Sequence, residues 1–109
     1  MMVRGHLKKT IYGLTIVSSA TDIYTEDING KKHYCESFTH LFTSLKSLKD
    51  FALKQTELYF NGCDFEDGKD ENDQTLKDFL DFVKKFKTIC IQDHDSHIEF
   101  DFFKQEMTL

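Results

Sequence analysis

Apolar and polar residues fall into distinct periodic blocks along the chain. Residues 10–18 are rich in β-branched and aromatic types, which suit a pleated, half-buried surface and predict a strand. Two further runs, Ile23 to Glu26 and Lys32 to Cys35, flank Asp27-Ile28-Asn29-Gly30-Lys31. Asn29-Gly30 is a strong hairpin signal, because both residues tolerate positive φ. Together these blocks predict an N-terminal β-meander. Phe38, Leu41, Phe42, Leu45, Leu48, Phe51 and Ala52 then recur mostly three and four apart, the period of one helical face. Either Ser37 or Ser44 is placed to cap that helix, depending on whether residues 38–43 belong to it. The helix is expected to end before Asn61-Gly62, and Leu58-Tyr59-Phe60 also fits a short strand.

Residues 61–74 read as a loop, long enough that such segments are usually functional or disordered. A second helix follows, with Asp73 as N-cap and Leu76, Phe79, Leu80, Val83 and Phe86 as its buried stripe. Lys84, Lys85 and Lys87 gather at its C-terminal end, where cations suit the helix dipole. Thr88 to Ile91 forms an apolar strand and Asp93-His94-Asp95-Ser96 a turn. Ile98, Phe100 and Phe102 alternate with Glu99 and Asp101 in a returning strand. Residues 104–109 are expected to fray. Strands, helix, loop, helix, hairpin is an order that predicts a single α+β domain over residues 1–109. Its sheet is antiparallel, an N-terminal meander plus a C-terminal hairpin, with two helices packed on one face.

Composition adds a core rich in phenylalanine, with 11 Phe among 109 residues and no proline. The charge distribution changes the picture more. Residues 1–54 hold 8 Lys/Arg and 5 Asp/Glu, a net +3; residues 55–109 hold 6 Lys and 14 Asp/Glu, a net −8. An acidic half repels phosphate backbones and attracts basic surfaces. Six of the acids (Asp64, Glu66, Asp67, Asp70, Glu71 and Asp73) fall within ten residues, against one lysine. Asp93, Asp95, Glu99 and Asp101 lie on the closing hairpin.

Three cysteines, Cys35, Cys63 and Cys90, are too few and too odd for a disulfide framework, and free thiols fit a reducing cytoplasm. Arg4, Lys8 and Lys9 before the run 11–17, with Ser18-Ser19-Ala20 after it, imitate a secretory signal. Gly13 and Thr15 interrupt that run, and the segment reads better as a strand. No segment approaches the roughly 18 apolar residues of a membrane span.

No motif specifies a reaction. His33 with Cys35, and His94 with His97, are the nearest metal-ligand pairs, and neither matches the spacing of a zinc knuckle. Setting Gly68 as the invariant glycine of an EF-hand loop puts Cys63 and Phe65 where oxygen ligands belong. Cys, His and acid all occur, but no local signature marks a nucleophile. Ser96, between Asp95 and His97, reads as a turn residue, and the glycines are isolated. No catalytic residue, metal or cofactor is therefore expected.

In size and composition the chain resembles small bacterial or phage-encoded inhibitors, toxin-immunity and anti-defence proteins among them. No particular stretch carries that likeness. The expectation is a non-enzymatic, cytoplasmic binding protein that neutralises a basic, nuclease-type toxin. The alternatives are an anti-defence inhibitor of a host nuclease, or a small metal-dependent enzyme or regulator. Its contact residues are expected to be Asp64, Glu66, Asp67, Asp70, Glu71, Asp73, Asp93 and Asp95, with Phe65 or Tyr59 as aromatic anchor. Oligomeric state is left open by the sequence.

Overall fold

The computed structural model describes residues 8–108. Its elements run β1 (Lys8–Ser18), β2 (Thr25–Glu26), β3 (Lys32–His33), β4 (Ser37–Phe42), α1 (Leu45–Cys63), α2 (Leu76–Lys84), β5 (Ile89–Gln92) and β6 (His97–Thr108). Four strands form one antiparallel sheet in the order β4-β1-β6-β5, while β2 and β3 pair in a small sheet of their own. This is the expected α+β class. No helix among the described residues is long and apolar enough to cross a membrane.

Strand alternation decides which face is buried. Leu14 and Ile16 of β1, Ile89 and Ile91 of β5, and Ile98 and Phe100 of β6 point to one face and are essentially fully buried. Both helices lie on that face: α1 packs on β1 and β4, and α2 packs on α1 and β5. Leu48, Ala52, Tyr59 and Phe60 from α1 meet Phe79 and Val83 from α2 in the same core. Each buried Phe, Leu or Ile contributes roughly 1.5–3 kcal/mol relative to exposure, so this layer outweighs any cap or ion pair.

The N-terminal strands do not form the expected meander. β1 is an inner strand, flanked by β4 and β6, and the Asn29-Gly30 hairpin stands off the main sheet. That hairpin is organised by Asp27, whose Oδ1 accepts from the backbone N–H of Asn29 and Lys31 at 2.9 and 3.0 Å. Gln55 ties it to α1 by accepting the Glu26 N–H at 2.7 Å.

Residues 37–42 fit two periods. Phe38, Leu41 and Phe42 belong to a helical stripe, but Ser-Phe-Thr-His-Leu-Phe also alternates, and the structure uses the alternation. Pairing with β1 satisfies the backbone of both strands. The helix therefore starts after Ser44, whose side chain accepts the Ser47 N–H at 3.3 Å. Nor does α1 stop at Asn61-Gly62. It runs through Leu58-Tyr59-Phe60 to Cys63 and is closed by Asp64 in the left-handed conformation (φ 53°). Gly62 serves packing instead: a Cβ there would come within 2.9 Å of the Ile23 side chain.

α2 is capped by Thr75 rather than Asp73, which lies outside the helix at φ 60°. Thr75 and Asp78 form a reciprocal capping box, at 2.8 and 3.3 Å. The C-terminal segment does not fray within the described residues. Residues 104–108 pair with residues 8–12 of β1. The signal-like run 11–17 is part of β1; Arg4 lies outside the described residues.

Candidate functional site

The acidic segment after α1 is a hydrogen-bonded loop, and Asp70 is its organiser. The side chain is only 4% exposed. Its Oδ1 accepts from the N–H groups of Asn72 (2.9 Å) and Gln74 (3.0 Å), and its Oδ2 from that of Gln92 (3.2 Å). The first two bonds close the loop on itself. The third, with the Glu71 N–H donating to the Gln92 carbonyl at 3.1 Å, fastens the loop to the end of β5.

That attachment brings the loop against the β5–β6 turn. Together they line an open concavity of about 640 Å³, bordered by Cys63, Asp64, Phe65, Glu66, Asp67, Lys69, Asp70, Glu71, Asp73, Asp93 and His94. Seven of these residues are carboxylates, against Lys69 and His94. Asp64, Glu66, Asp67, Glu71 and Asp73 are exposed and Asp93 half-buried. Among the described residues, the one ion pair made by this set is Glu71 with His94, at 3.3 Å. Asp95 is exposed on the same turn but does not line the concavity.

Three expected contact residues are spoken for inside the fold. Asp70 is a buried loop-former, so it presents no free carboxylate to a partner. Phe65 is half-buried, its ring 5.1 Å from that of Phe60 on the core. Tyr59, the other expected anchor, is fully buried. The site is thus a charged concavity without a free aromatic. Gln92 is the docking point that sequence reasoning missed; it acts through its backbone, which leaves no trace in residue type.

The thiol bordering the concavity is chemically quiet. Burial, with Asp93, Asp22 and Asp70 adding repulsion, pushes the Cys63 pKa up to about 12. Such a thiol keeps its proton, which is the reverse of what a nucleophile needs. Cys90 is raised in the same direction by burial and by nearby acids.

The metal-ligand pairs do not converge. Strand alternation breaks after His33, because Cys35 turns to φ 48°. The His33 ring is enclosed instead by Asp27, at 2.8 Å, and Glu36, and it stacks on Phe38. The hydrogen bond that His33 donates to Asp27 raises the His33 pKa, with Glu36 adding to it; Asp27 in turn falls to about 2. His94 meets Glu71, whereas His97 meets Ser19. No group of three or more His, Cys, Asp or Glu among the described residues is arranged to hold a metal.

The chain matches no protein-family model, no curated protein and no solved structure.

Proposed function

We propose that this protein is a binding protein that receives a basic protein partner in the acidic concavity. The observation that carries the reading is the joining of two separate acidic segments. The loop 64–73 and the turn at Asp93 border one concavity whose exposed carboxylates have almost no internal cations. Like charges held together in this way raise a strong local potential, which speeds encounter with a cationic surface and fixes its register. The protonated thiol of Cys63 favours binding over covalent chemistry.

The finer proposal is inhibition. A protein that docks on a nuclease's cationic substrate groove would occlude it, as a toxin-immunity protein or an anti-defence protein would. The gene beside this one separates those two roles, a toxin gene favouring the first and a phage operon the second.

The test uses the immobilised chain and extract of its native host. A captured basic protein is expected to be lost when Glu66, Asp67 and Glu71 are reversed to Lys, and retained when the exposed Lys46 is replaced by Gln. Asp70 is left intact because reversing it would unfold the loop. With the captured protein purified, the triple reversal is expected to slow association about tenfold or more at low salt. An unchanged association rate overturns the proposal.

A further inference from the structure

We infer that β6 carries a self-complementary edge through which two copies of this chain pair as one continuous sheet. The described chain has a radius of gyration of 16.1 Å and measures 65 × 25 × 18 Å. A compact domain of this length has a radius of about 13 Å. The excess reflects a ribbon at one end. β4 pairs with β1 over Tyr12–Val17, and β5 with β6 over His97–Phe100. Residues 8–11 and 105–108 therefore pair with each other and, among the described residues, with no third strand. A lone two-stranded ribbon is marginal in water, and further strands stabilise it.

The backbone fixes what the edge offers. The Ser19 N–H donates to the His97 carbonyl at 3.0 Å, so odd-numbered residues of β6 turn their backbone groups to β1. Even-numbered residues turn theirs to the β5 side. There the chain leaves the sheet at Lys87, whose N–H donates to Phe82 in the turn after α2. The outward groups of Lys104 and Glu106 are left without a strand neighbour among the described residues.

An antiparallel two-fold centred on Gln105 pairs Lys104 with Glu106 of the second copy, and Glu106 with its Lys104. Both pairs have outward backbone groups, so each makes two hydrogen bonds. The same register sets Phe103 opposite Met107 on the sheet face that no helix covers. Both side chains are exposed in the single chain, at 36% and 45%. A two-fold centred on Lys104 or on Glu106 would set like charges opposite each other, which is destabilising. Charge thus selects one register, and the partner it selects is a second copy.

Sedimentation equilibrium of the full chain at low salt tests this, up to roughly 0.5 mM because so small an interface belongs to the weak class. A monomer–dimer equilibrium is expected. Lys104→Glu sets Glu against Glu at both ends and should weaken it about tenfold. Lys8 lies 3.9 Å from Glu106 in its own chain. The triple variant Lys8→Glu, Lys104→Glu, Glu106→Lys exchanges all three charges and should restore the dimer to within about threefold of the parent. A monomer throughout, a dimer indifferent to Lys104→Glu, or no recovery in the triple variant overturns the inference.

Discussion

The Asn29-Gly30 hairpin and the loop 64–73 are both rich in acid, but they dispose of it differently. On the hairpin, Asp27 and Glu36 close on His33, and Glu26 meets Lys54 at 3.1 Å. In the loop, one carboxylate is buried to hold the backbone and most of the rest face water without a cation. The difference teaches that acid density alone does not mark a binding surface. Acids with an internal partner are already used; those without one are the part of the surface that a cationic partner can engage.

The largest effect separating the two kinds of acid lies within the loop itself. Asp70→Ala removes the acceptor for three backbone N–H groups and is expected to cost about 3 kcal/mol in denaturant unfolding. Asp67→Ala, on the exposed rim, is expected to change stability by less than about 0.5 kcal/mol. Equal losses at the two positions would erase the distinction between loop-former and free charge.

A smaller effect belongs to the hairpin and depends on pH. The His33 pKa is raised above its ordinary 6.5, so its contribution is full below that value and is lost as pH rises through the raised one. The Asp27 pKa is depressed from 3.8 to about 2, so its contribution is full above 3.8 and is lost as pH falls through 2. The pair therefore stabilises most between about pH 4 and 6.5. His40 works in the opposite direction. Its Nε2 accepts the Ile28 N–H, and burial lowers its pKa, so its contribution is full above 6.5 and declines below it. Comparing wild type with His33→Gln isolates the pair: the stability gap should be wider at pH 5.5 than at pH 8.5. A gap that does not narrow with rising pH would show that His33 carries no charge on the hairpin.

The fold class was legible because long alternating and three-four patterns survive in β6, α1 and α2. Where two periods overlapped, as at residues 37–42, only the need of β1 for a second neighbour chose between them. The end of α1 was misplaced because Asn61-Gly62 signals a stop as strongly as Asp64, yet Gly62 was needed for close packing against Ile23. At the candidate site, the acid count was legible and its sorting was not. Nothing in the spacing of Asp67 and Asp70 tells which is buried, because that follows from Gln92 arriving from a distant strand. Phe65 and Tyr59 looked like anchors for the related reason that residue type does not report burial.

The contrast between paired and free acid is tested most directly by titrating the isotope-labelled chain with a short oligolysine at low salt, following backbone amide shifts. The account predicts saturable shifts at Glu66, Asp67, Glu71 and His94, little change at Asp27 to Glu36, and loss of the effect near 0.3 M salt, where screening shortens to about 6 Å. Shifts of equal size on the hairpin, or none at the loop, would contradict it.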